Sequence, residues 1–155
     1  MTTPTRHNIM LPEERMVALR DLADQLGGVS MSATLKALFA AARAQGLIKD
    51  HTIPGVTVNS FKDGIAVRFD DGEYASLTLA AARQLAATIR QFVEGSITAP
   101  LADLDNDFSV RRKGRGIIVA INAMTEVESS KVWNSDIALE FADLLDAAVK
   151  KHDPK

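Results

Sequence analysis

Cysteine is absent from the 155 residues, which removes disulfides, thiolate metal sites and cysteine nucleophiles at once. No apolar run is long enough to cross a bilayer, and the N-terminus lacks the basic-then-apolar order of a secretion signal. A cytoplasmic protein with no membrane partner is therefore expected. Histidine is scarce: His7, His51 and His152 lie far apart, none with a second ligand at helical spacing, so neither a metal nor another cofactor is expected. There is no nucleophile elbow, no phosphate-cradling glycine loop and no carboxylate pair with a reason to share a cleft, so an enzyme is not expected either. What is present is an ordinary globular composition, 46% apolar and 25% charged, enough for one good core or two small ones.

The net charge of −2 hides an asymmetry. Up to Lys49, six basic residues (Arg6, Arg15, Arg20, Lys36, Arg43, Lys49) face four acids, a balance of +2 that leaves −4 for the remainder. The N-terminal end is the positive one, a weak pointer toward an anionic partner there. Turn-forming stretches at "LIKDHTIPG" and "EGSITAPLADLDND" divide the chain into three segments. The first, residues 1–49, is expected to be one domain, and residues 55–152 a second.

In the first segment, Arg6 to Leu11 alternate in character and predict a short strand. Pro12, Glu13 and Glu14 then predict a helix start, because proline presets φ and the acids sit against the positive end of the helix dipole. Met16, Leu19, Leu22, Ala23 and Leu26 form one apolar stripe, ended by Gly27 and Gly28. Ser30 or Ser32 can cap a second helix with the stripe Met31, Leu35, Leu38, Phe39 and Ala42, running to Gly46. A lone strand with two amphipathic helices cannot satisfy its backbone or bury both stripes, so a second copy is required.

This order, with the strand running into "LPEE", the helix-ending "LGG" and the "GVSMSATL" that opens the second helix, resembles the ribbon-helix-helix (Arc/MetJ/CopG-type) family of DNA-binding proteins over a third of the chain. The resemblance implies an intertwined homodimer that binds double-stranded DNA; a tetramer is the other self-assembly kept open. It implies that Ile9 and Leu11 face a shared core while Arg6, Asn8 and Met10 enter the major groove. Met10 departs from the polar residue usual there and would meet a thymine methyl. The amides near Ser30, Met31 and Ser32, with Lys36 one turn on, would correspond to the family's phosphate anchor. Two simpler accounts stand beside these: the serines as caps only, and Arg6 as a solvated side chain. The same stretch also resembles a helix-turn-helix followed by "QGLI", although no helix precedes the pair.

The rest of the chain repeats itself. Val58, Gly64 and Val67 match Val110, Gly116 and Val119 at one offset; after a longer loop, Leu77, Thr78, Leu85 and Ile89 match Trp133, Asn134, Phe141 and Leu145. Each unit, residues 55–95 and 107–152, reads as three strands and a helix, with Thr78 and Asn134 as equivalent N-caps. The expected fold is thus α+β: the ribbon-helix-helix head, then a tandem strand-strand-strand-helix repeat forming a single antiparallel sheet of about six strands, with helices on one face. The topology is loosely similar to Pur-alpha and whirly-type single-strand binders, without their extra strand.

Three further features need an account. "RRKGR" (Arg111, Arg112, Lys113, Arg115) is the only dense basic run; a solvated hairpin tip is the simpler explanation, a secondary nucleic-acid contact the functional one. Trp133 is expected to pack in the core. Asp103, Asp105 and Asp107 are spaced like the start of a calcium loop but lack its glycine and distal glutamate, and are expected to be linker. The function expected is a dimeric transcriptional repressor or autoregulator whose repeat domain oligomerises further or binds a ligand or protein. The alternative is a protein-interaction module, an antitoxin or assembly factor, in which the N-terminal segment mainly dimerises.

Overall fold

The computed structural model of the chain describes residues 8–48 and 53–152. It divides into two compact units, one within Thr5–Asp50 and one from His51 onward. Its class is α+β, with four helices and two antiparallel sheets among the described residues.

The N-terminal unit contains α1 (Glu13–Gln25) and α2 (Met31–Ala44), which touch each other. The strand expected over residues 6–11 is not found: residues 8–11 carry no strand, and Arg6 and His7 lie outside the described residues. An extended segment becomes a strand only when its amides and carbonyls find a ladder partner, and none of the described residues pairs with this one. Between the helices, Gly27 and Gly28 adopt φ of 100° and 75°, and the Gly28 amide returns to the Ala23 carbonyl at 3.0 Å, closing the end of α1 as the sequence predicts.

The C-terminal unit holds β1 (Val56–Phe61), β2 (Gly64–Phe69), β3 (Ala75–Leu77) and α3 (Leu79–Glu94), then β4 (Leu101–Asp103), β5 (Phe108–Lys113), β6 (Gly116–Ile121), β7 (Ser129–Trp133) and α4 (Ser135–Lys150). One expectation fails here. The strands form two sheets, β1-β2-β3 and β4-β5-β6-β7, where one sheet of about six was expected. The second repeat gains β4, paired with β5, from residues read as linker. The helices lie against the face of the strands that carries Ile65, Val67, Phe69, Val110, Ile117, Val119 and Ile121. They pack on each other, with α3 against β2, β3 and β5, and α4 against β1, β2, β6 and β7, so each helix meets both sheets.

The repeat itself is reproduced in detail. The first hairpins share one register, Phe61 opposite Gly64 and Lys113 opposite Gly116. Left-handed backbone recurs at equivalent places, Gly55 and Asp107 (φ 76° and 60°) and Asp70 and Asn122 (φ 52° and 51°). Thr78 Oγ1 accepts from the Ala81 amide at 3.0 Å and Asn134 Oδ1 from the Ile137 amide at 2.9 Å, the two predicted caps. Ser60 Oγ donates to the Ala148 carbonyl at 3.0 Å, and at the equivalent position Arg112 donates to the Phe92 carbonyl. Each first hairpin therefore reaches a carbonyl in the last turn of the other repeat's helix, the Phe92 carbonyl accepting from the Gly95 amide as well.

One continuous core results. Ile65, Val67 and Phe69 of the first repeat, Ile117, Val119 and Ile121 of the second, and the apolar stripes of both helices are buried in it. At its centre the Phe69 ring stands edge-on to Trp133 and to Phe141, both with centroids 5.6 Å away. Trp133 is core, as its position in the repeat implies.

Candidate nucleic-acid interface

The residues singled out from the sequence fall into two sets, one on each unit. In the N-terminal set, Pro12 is the residue before α1, with ψ of 152°, and its carbonyl accepts from the Arg15 and Met16 amides at 3.0 and 3.2 Å. The chain therefore enters α1 extended, with residues 8–11 ahead of it. Asn8 is exposed and Met10 is 95% exposed, as groove-facing side chains would be; Arg6 lies outside the described residues. Ile9 and Leu11, expected to face a core, are 79% and 40% exposed in the single chain. The expected two-faced ribbon is thus absent from the chain by itself.

Ser30 is the N-cap of α2. Its Oγ accepts from the Ala33 amide at 3.1 Å, and its carbonyl accepts from Thr34 Oγ1 at 2.9 Å. Ser32, the other candidate cap, lies inside the helix. Met31 and Ser32 begin α2, where the positive end of the helix dipole favours an anion. Ser30 and Ser32 are exposed, while Met31 and Lys36 are half-buried.

The apolar faces of this unit are left open. Among its described residues only Ala23 and Thr34 are buried, whereas Leu26, Val29, Leu35, Leu38, Phe39 and Leu47 are all more than a third exposed. The stripe of α2 predicted from spacing is present in the helix, with Met31 and Ala42 half-buried and Leu35, Leu38 and Phe39 left exposed.

The second set is the β5–β6 hairpin. Val110 faces the core, and strand alternation then sends Arg112 to the same side, where it bonds the end of α3, and Arg111 and Lys113 to the other. Arg112 is accordingly a structural residue and leaves the candidate contact set. Arg111, Lys113 and Arg115 are exposed, and no acidic side chain among the described residues pairs with them. Alternation in "VRRK" was the signal that separates Arg112 from its neighbours.

The acidic stretch is structural too. Asp103 ends β4, and its carboxylate accepts from the Asn106 backbone amide at 3.0 Å and from Asn106 Nδ2 at 2.9 Å. The Asn106 side-chain bond, reinforced by backbone amides, holds the Asp103 carboxyl below its ordinary range. Asp107 accepts the Met124 amide. Among the described residues, no three His, Asp or Glu side chains are grouped so as to hold a metal ion. No family model, curated protein or solved structure matches this chain, so its own residues carry the functional reading.

Proposed function

We propose that the chain is a dimeric regulator of transcription that binds double-stranded DNA, its N-terminal unit acting as a ribbon-helix-helix head shared by two copies. The observation that carries this reading is the open apolar surface of α1 and α2. Helices of 13 and 14 residues that bury only Ala23 and Thr34 have no core of their own, and units this small need help to stay folded. A second copy supplies that core. It also supplies the ladder partner for residues 8–11, turning Ile9 and Leu11 inward and leaving Arg6, Asn8 and Met10 to read base edges. The amides that open α2 then hold a flanking phosphate.

The same apolar surface suits a second reading, a protein-interaction module whose N-terminal unit serves only to dimerise. One experiment separates the two. Light scattering over a concentration series reports the dimer, and a shift assay with mixed genomic DNA at several salt concentrations reports binding. The regulator gives a dimer with salt-dependent binding that fragment selection resolves into a preferred site. A dimer that leaves DNA unshifted at low salt supports the interaction module, and a monomer overturns both.

A further inference from the structure

The two halves of the repeat domain act as controls for each other. Where the first hairpin has Asn59, Phe61 and Asp63, the second has Arg111, Lys113 and Arg115, in the same register and across a turn of the same two-residue length. The fold does not need cations there, because the equivalent hairpin forms without them. The arginine that the fold does use is Arg112, whose counterpart Ser60 makes the same contact with the other helix.

We infer that Arg111, Lys113 and Arg115 form a second contact to the phosphate backbone of duplex DNA, separate from the N-terminal unit. Arg111 and Lys113 stand two residues apart on one face of β5, about 7 Å from each other by strand geometry. Arg115 follows at the turn, beside Gly114, whose φ of 61° makes the tight connection. All three are exposed and without an acidic partner among the described residues, in a chain whose net charge is −2. Three unpaired cations on one hairpin are held as one multidentate group against an extended polyanion. They offer nothing that distinguishes one base from another, so this contact adds affinity and salt dependence without sequence preference.

The inference shares the duplex with the proposed function but rests on different residues, and one set of variants of the full chain tests both. Binding to a mixed-sequence duplex, and to the preferred site returned by fragment selection, is followed by fluorescence anisotropy across a salt series for the wild type, the triple variant R111Q/K113Q/R115Q, Lys62→Gln and Asn8→Ala. The triple variant should flatten the slope of log affinity against log salt by about 2 to 3 units, at roughly 0.9 per phosphate contact. Its melting temperature should be unchanged, and Lys62→Gln on the equivalent hairpin should leave the slope as it was. An unchanged slope in the triple variant overturns the hairpin contact, while lost sequence discrimination in Asn8→Ala keeps the head. A flattened slope in the triple variant, with the preference for the selected site over mixed sequence unchanged in Asn8→Ala, supports the hairpin contact and removes Asn8 from base reading. Absence of duplex binding by the wild type overturns both.

Discussion

Two neighbouring arginines of the β5–β6 hairpin, Arg111 and Arg112, differ by one step of strand alternation and have opposite roles. Arg112 donates to the carbonyl of Phe92 at the end of α3, so Arg112→Ser, which installs the residue of the other repeat, should lower stability by about 1 kcal/mol. Arg111→Ser should leave the denaturation midpoint in place. Equal effects on the midpoint would mean that the bond to Phe92 contributes nothing. Asp103 makes a pH prediction of known sign. Its carboxyl is held below the ordinary value by Asn106, so the charged form contributes stability that is fully present above the unfolded value and is lost as pH falls through the lowered folded value. Asp103→Asn should remove that acid limb from a plot of stability against pH.

At the level of elements, the repeat was the most legible feature because each equivalence is backed by a physical requirement. Thr78 and Asn134 cap, Gly64 and Gly116 restart the strand after a tight turn, and Leu77 and Trp133 fill the same core position. The missed element is β4. Three residues, "LAD", are too short to show a period of two, and the acids after them resemble a loop; pairing with β5 makes the strand. The division into two sheets was equally invisible, because local pattern does not say which helix a hairpin will cover. Charge does bear on how the helices meet. Arg90 of α3 and Asp146 of α4 occupy equivalent positions and form an ion pair at 2.6 Å, with Asp143 at 2.9 Å. Equivalent positions of opposite sign favour pairing of the two unlike repeats over pairing of like with like. Asp146→Arg places two cations at this crossing and should destabilise the C-terminal unit by about 1 kcal/mol, an effect reduced by the partial exposure of all three side chains. A chemical denaturation curve checks it.

For the whole molecule, the two units should respond differently to isolation and to dilution. A fragment beginning at Ile53 carries both repeats, the aromatic contacts among Phe69, Trp133 and Phe141, and the reciprocal hairpin-to-helix bonds, so it should give a cooperative melt at any concentration. Within it, Trp133→Ala should cost about 3 to 5 kcal/mol, because it opens a cavity where the repeats meet. The N-terminal unit is the reverse case. Its apolar residues were legible from spacing, but what covers them was not, because spacing shows that a helix face is apolar and not what it meets. If a second copy is the cover, the isolated segment 1–49 should be helical at high concentration and lose its helicity on dilution, since folding is then linked to association. Phe39→Ser, half exposed in the single chain, should then shift that transition to higher concentration although it disturbs no contact within a monomer's core. Ile9→Ala should shift it too, by the cost of truncating a side chain buried only in the dimer, whereas Asn8→Ala should leave it in place and lower specific DNA affinity by about 1 to 3 kcal/mol. The comparison of these neighbours is decisive for the ribbon. If Asn8→Ala dissociates the dimer and Ile9→Ala spares it, the strand is offset by one residue and His7, Ile9 and Leu11 face the groove, a mostly apolar set with little means of distinguishing base pairs. If neither variant moves the transition, residues 8–11 take no part in the dimer, and the exposed faces of α1 and α2 alone bring the two copies together.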